Sequence, residues 1–396
     1  MSLRFLILNT DYPEFLGWLY AQHPGLDEQP YHEQMRVRNE SFFGVADFYS
    51  KNLRKLGHEA FDIHANNEFM QKAWARENGV LVKEPSDLDK ILQGAIRQAR
   101  RGASLTPVRY FKPLLRLFSA PSSNQQAWFY EILAAQIKYH KPDVLLNQTM
   151  SGIGTGFLRR VKSHVGLLVG QHAATSLPDS EEWGCYDLVI SPFQPTIRSF
   201  QARGVPAEFN GLGFEPTVLS CLEPSGRIFD ITFVGSFYNV HSSRVALVES
   251  VCNRFSQMRI WGPSVDHLPQ GSLIRKCYVG QAWGREAYQK LHTSKATINH
   301  HGDIVPYANN MRLFEATGVG TLLITDWKMN LHDMFELGKE VVAYRSPEEC
   351  IKLVQYYLEH DREREAIARA GQERTLREHT FYHRMQEVVE IVNRYR

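Results

Sequence analysis

The sequence predicts an α/β protein made of two successive βα domains with parallel sheets, and three observations lead there. Short apolar runs alternate with segments of helical period along the chain, the pattern of strands joined by crossover helices. A breaker-rich stretch, Glu223-Pro224-Ser225-Gly226, separates two such series near the middle. Finally, 396 residues are too many for one compact core and give each series an ordinary domain length.

In the first series the apolar runs place strands at Phe5–Asn9, Glu59–His64, Val144–Asn147, Val165–Gly170 and Leu188–Ser191. A helix over Thr196–Arg203 follows and is stopped by Gly204 and Pro206. In the second series strands are expected at Asp230–Val234, Met258–Trp261, Ala296–Asn299, Thr321–Thr325 and Glu340–Tyr344, with helices at Ser243–Phe255, Arg285–Leu291 and Arg312–Gly318. Ser346-Pro347-Glu348-Glu349 is a helix start, with Ser as cap, Pro at the first position and Glu three after the cap. From Asp361 to Arg396 the chain reads as charged helix.

Composition excludes several classes. Hydrophobic residues make up 43% and charged residues 22%, so the chain has enough apolar side chains for packed cores. With 45 basic and 43 acidic residues the net charge is +2, which gives no argument for a nucleic-acid partner. The five cysteines are scattered, without C-x-x-C or zinc spacing, and read as reduced thiols of a cytoplasmic protein. The first apolar run meets Asp11 too soon for a signal peptide, and no 18-residue apolar window offers a membrane span.

Charge becomes informative locally. Residues 90–130 carry seven basic side chains and no acidic one, with Tyr110, Phe111, Leu114, Leu115 and Phe118 interleaved. The run 97–118 reads either as a surface for an anionic, lipid-linked acceptor or a membrane face, or as an amphipathic insertion with a solvated basic side.

The most informative stretch runs from His300 to Asp326: a strand end, a polar loop, a short helix opening near Asn309, then Gly318 and Gly320 turning into an apolar strand. Such a helix start offers unpaired N–H groups to a diphosphate. Glu315, about one and a half turns in, is placed to accept hydrogen bonds from two adjacent ribose hydroxyls. Elsewhere, Gly152-Ile153-Gly154-Thr155-Gly156 lacks the dinucleotide spacing because position 157 is Phe, and no Walker A motif, nucleophile elbow or H-E-x-x-H is present.

Asn310-Met311-Arg312-Leu313-Phe314-Glu315-Ala316 through Thr325-Asp326 resembles the donor-site stretch of GT-B glycosyltransferases, in particular the "glycosyl transferases group 1" branch that includes CgeB-like proteins. Weaker likenesses cover most of the remainder. The resemblance implies two Rossmann-like domains with parallel sheets facing a central cleft. Residues 1–218 would hold the acceptor, with a basic helical insertion at about 65–135. Residues 226–375 would hold the nucleotide-sugar, and a terminal helix, 376–396, would return to the first domain. The implied activity is hexosyltransferase-like transfer from a nucleoside-diphosphate sugar to a glycan, lipid-linked or protein acceptor. No metal or other cofactor is implied.

Residue by residue, the resemblance gives Glu315 to the donor ribose and Gly235 and Ser236 to the diphosphate, with Arg244 and Arg312 as charge partners. Gly262 and Trp261, the latter read either as part of the base pocket or as simple core packing, would lie near the base, and His300, His301 and Asn310 would contact the donor. His172, ending a strand, reads as general base or sugar contact, or as a loop cap. Asp11, directly after the first strand, is a second candidate base or an Asx turn beside Pro13. The sequence departs from retaining relatives in having Tyr307 where a first glutamate would stand, and Ser236, His241 and Arg244 in place of their Arg/Lys pair. A non-catalytic nucleotide-sugar-binding or structural protein and a sugar-nucleotide epimerase remain open on the same fold.

Overall fold

The computed structural model describes residues 2–82, 123–173, 177, 182–237, 242–302 and 306–396. The basic run 97–118 and His241 lie outside the described residues, so the expectations attached to them are not addressed by the structure.

Two parallel sheets of six strands form the protein. In the first, β1 (Arg4–Asn9), β2 (Glu59–His64), β3 (Val144–Asn147), β4 (Leu167–Gln171), β5 (Leu188–Ser191) and β6 (Ala207–Phe209) are ordered β2-β1-β3-β4-β5-β6. In the second, β7 (Phe229–Val234), β8 (Arg259–Trp261), β9 (Tyr278–Gly280), β10 (Ser294–Asn299), β11 (Leu322–Asp326) and β12 (Val342–Tyr344) are ordered β12-β11-β10-β7-β8-β9. Central strands such as β3 and β4 are buried at every residue, and they read as continuous apolar runs because helices cover both faces of a parallel sheet.

The ten expected strands are all present, shifted by two residues at most at either end. β6 and β9 were not expected. Each has three residues, at one edge of its sheet, too few to show a period.

In each sheet the strand order reverses once, between β1 and β3 in the first and between β7 and β10 in the second. Open α/β sheets bind ligands at such switch points, beyond the carboxyl ends of the strands. Here the two switch points face each other across one cleft.

Several contacts hold the halves together. Backbone hydrogen bonds tie Phe214 to both His379 and Phe381. The last helix, Phe381–Tyr395, capped by Thr380, then packs on the first domain. There Phe381 lies 5.3 Å from the Phe48 ring and 5.4 Å from that of Tyr49, and Asn210 donates to the Arg384 carbonyl at 3.2 Å. Across the cleft, the Arg285 N–H donates to the Ser41 carbonyl at 2.7 Å. Gly284 makes this approach possible: its φ is +50°, and a β-carbon there would lie 1.9 Å from that same carbonyl oxygen.

Candidate functional site

Between the sheets lies a cleft of about 750 Å³, lined from both domains by residues at the carboxyl ends of β1, β3, β4, β7, β8 and β10. Of the residues expected from sequence, Asp11, His172, Gly235, Ser236, Arg244, Gly262, Asn310, Arg312 and Glu315 line it.

The second-domain wall is built at the β7/β10 switch point. Gly235 follows β7, and its N–H donates to the Trp261 carbonyl at 2.9 Å. Gly262 has φ +157°, and a β-carbon on it would sit 2.0 Å from the Gly235 carbonyl oxygen. The loops after β7 and β8 therefore touch through bare backbone. Gly262→Ala is expected to cost about 1–3 kcal/mol, the usual range for forced overpacking. Urea unfolding of that variant checks the effect.

Arg244, on helix Ser242–Arg254, clasps the loop from the other side, donating to the Ser236 carbonyl at 2.9 Å and the His300 carbonyl at 2.8 Å. Arg312 donates from Nε to the Val234 carbonyl at 3.2 Å and pairs through Nη1 with Glu315 Oε2 at 2.6 Å. Two guanidinium groups and a carboxylate thus converge beside the glycine loop. Tyr288, not singled out from sequence, is buried in the same wall. Burial and the neighbouring Glu315 charge push its phenol well above the usual value.

Two expectations need correction. Trp261 points its ring into the core, 4.9 Å from Phe229, and only its backbone serves the loop. It is absent from the cleft lining because the ring takes the inner face of its strand. His301 is also turned away. It is 3% exposed and its Nδ1 lies 2.6 Å from Asp326 Oδ1, while His300 takes the place at the cleft. Burial raises the Asp326 carboxyl, but hydrogen bonding and charge from His301 more than offset this, leaving it well below the usual carboxylate range. Asn310 lines the cleft and also bonds within the protein: Oδ1 accepts from the Leu313 N–H at 3.3 Å and Nδ2 donates to Asn299 at 2.9 Å. The N-cap residue of the seven-residue helix, Met311, makes no side-chain cap, and Arg244 and Arg312 bring positive charge to this wall.

On the first domain, His172 follows β4 and lines the cleft. Its N–H donates to the Ile190 carbonyl at 3.1 Å, and its carbonyl accepts from Ser191 at 2.7 Å. Asn309 from the other domain reaches the adjacent Ala173 carbonyl at 3.1 Å, tying the two walls beside this histidine.

Asp11 is held differently. Its side chain is 1% exposed, ion-paired with Arg38 Nη2, and 3.2 Å from His64 Nδ1. Burial raises its carboxyl, yet the charges of Arg38 and then His64 bring it well below the usual range. A carboxylate so committed is a weak proton acceptor, so its geometry is that of a structural anion at the β1 terminus. Sequence reasoning missed Arg38 and His64 because they lie 27 and 53 positions away and show no motif. Among the described residues no group of three or more His, Cys, Asp or Glu side chains is arranged to hold a metal ion.

Residues 244–390 match the model of a family described as "Glycosyl transferase-like". No curated protein sequence matches the chain. Solved structures similar to it over nearly its whole length include a glycosyltransferase from Rickettsia africae (TM-score 0.58, 10% identity, 100% of this chain and 98% of that one). HepE from Anabaena, solved with UDP and glucose, aligns with a TM-score of 0.58 at 11% identity over 99% of this chain and 100% of its own. AviGT4, a glycosyltransferase involved in avilamycin A biosynthesis, gives 0.54 at 13% identity over 100% and 98%.

The fold is GT-B. In GT-B terms, the chain places its glycine loop, two arginines and Glu315 on the second-domain wall and His172 on the first. The family match lies in the second domain and the terminal helices, the stretch that also carries the sequence resemblance.

Proposed function

We propose that this protein is a glycosyltransferase: the C-terminal domain binds a nucleoside-diphosphate sugar, and the sugar passes to an acceptor held by the N-terminal domain. The observation that carries this reading is the cleft at the two facing switch points. It sets Arg244, Arg312, Glu315 and the Gly235–Ser236 loop opposite His172. HepE, on the same fold, was solved with UDP-glucose, which supports a donor of that class.

In this reading the diphosphate lies over the Gly235–Ser236 loop, where Arg244 and Arg312 meet the charge that grows on it as the anomeric C–O bond breaks. Glu315 accepts hydrogen bonds from the ribose hydroxyls. The acceptor oxygen forms the new bond to the anomeric carbon, its proton leaves to His172, and the electron pair of the broken bond departs with the nucleoside diphosphate.

Thermal denaturation with each common nucleoside diphosphate tests donor binding. At about 100 times its dissociation constant, the correct nucleotide adds roughly 2.7 kcal/mol. For a domain of this size that corresponds to a rise of about 5–10 °C in melting temperature. Stabilisation by one nucleotide, with release of that nucleotide from its sugar when acceptor is added, supports the proposal. No stabilisation by any of them overturns it in favour of a structural protein. Donor consumption that never requires an acceptor favours an epimerase or hydrolase.

A further inference from the structure

The wall opposite the donor site has a chemistry of its own. Among the described residues lining the first-domain side of the cleft, the acidic and basic side chains are Asp11, Arg38 and His172, the last being the proton acceptor of the proposed reaction. Asp11 and Arg38 are each 1% exposed and pair with one another. The rest of this wall is neutral: Thr10, Gln148, Thr149 and Ser151 offer hydroxyl and amide groups, and Tyr12, Phe42 and Phe43 offer rings.

These rings form an ordered platform. Phe43 stacks on Phe15 at 4.0 Å and meets Trp283 of the other domain edge-on at 5.1 Å. Tyr12 leans on Phe43 at 5.6 Å, yet remains 62% exposed. It is the outer, solvent-facing member of a stack whose inner members are fixed. The loop bearing Phe43 is held by the Ser41–Arg285 hydrogen bond, and Phe42 sits at φ +56°, a left-handed conformation that non-glycine residues adopt only when their surroundings impose it. Thr10, just before this platform, donates to Thr149 at 3.1 Å across the β1/β3 switch point, so rings and hydroxyls share one crevice.

We infer that this wall binds the acceptor as a neutral saccharide ring, with the C–H face of the sugar on Tyr12 and its hydroxyls toward the Thr10–Thr149 side. An exposed aromatic ring beside neutral donors and acceptors suits a ring that is apolar on its faces and polar at its rim. A phosphorylated acceptor would need a cation or N–H cluster to meet its charge; among the described residues of this wall the Arg38 guanidinium is already neutralised by Asp11, and His172 must be uncharged to take the acceptor's proton. The inference rests on the glycosyltransferase reading for the word acceptor, although binding itself is measured without turnover.

The test is calorimetric titration of the full chain with methyl glycosides of neutral disaccharides and, separately, with glycosyl phosphates, for the wild type and Tyr12→Ala. Tyr12 contributes little to the core, so the variant is expected to fold with an unchanged melting temperature. A neutral glycoside should bind the wild type, and Tyr12→Ala should weaken that binding about tenfold while leaving nucleoside-diphosphate affinity unchanged. Failure of every neutral glycoside to bind, preference for the glycosyl phosphates, or an unchanged affinity in Tyr12→Ala would overturn the inference. Failure of the nucleotide arm alone would strike the donor reading and leave saccharide binding standing.

Discussion

Replacing Asp11 with alanine is expected to cost about 3–5 kcal/mol of stability, because it strands the Arg38 guanidinium without its counter-charge at a side-chain exposure of 1%. The same change at an exposed pair such as Arg4–Glu59, where the side chains are 41% and 54% exposed and water screens the charges, should cost far less. Urea unfolding of the two variants side by side checks the contrast. The double variant Asp11→Asn/Arg38→Met, which removes both charges, should recover much of the loss. The pH dependence follows in sign. Asp11 is more acidic in the folded protein than in the unfolded chain, so its contribution is fully present above the unfolded value of 3.8. It fades as pH falls below that value, when the unfolded chain takes up the proton first. A loss near 1 kcal/mol for Asp11→Ala, or stability that rises on acidification through this range, would contradict the buried ion pair.

The second large effect concerns Glu315. Glu315→Ala should weaken nucleoside-diphosphate binding about a hundredfold, since hydrogen bonds to a charged acceptor contribute about 1.5–3 kcal/mol each and tenfold in affinity corresponds to about 1.4 kcal/mol. The ion pair with Arg312 complicates the readout, because the variant also frees a cation beside the diphosphate. Comparing nucleotides removes that ambiguity. The wild type should prefer the ribonucleotide over its 2′- and 3′-deoxy analogues, and Glu315→Ala should bind all of them alike. If the preference survives in the variant, the ribose is held elsewhere.

The sequence was legible where the physics is local. Buried parallel strands must be apolar along their length, so β1, β3, β7 and β11 stand out without any partner. The Ser346 cap is realised: its hydroxyl accepts from the Glu349 N–H at 3.2 Å, with Pro347 at the first position. The positions of Gly235, Glu315 and His172 follow from strand ends and topology, which bring them to one cleft. Facing direction was not legible. Trp261 and Gly262 are neighbours, yet the ring goes to the core and the glycine to the loop. His300 and His301 likewise part company by one residue. Long-range electrostatics was hidden as well, since Arg38 is one of two arginines in a largely polar helix until the fold brings it under Asp11. The aromatic platform joins Tyr12, Phe15, Phe43 and Trp283 from two domains, and no window of sequence contains it.

The most direct measurement of the central claim is a crystal structure with the nucleoside diphosphate that gives the largest thermal stabilisation. The account predicts the diphosphate over the Gly235–Ser236 loop within reach of Arg244 and Arg312, and a ribose hydroxyl about 2.7 Å from a Glu315 carboxylate oxygen. A nucleotide bound outside the cleft, or seated with its ribose away from Glu315, would contradict it.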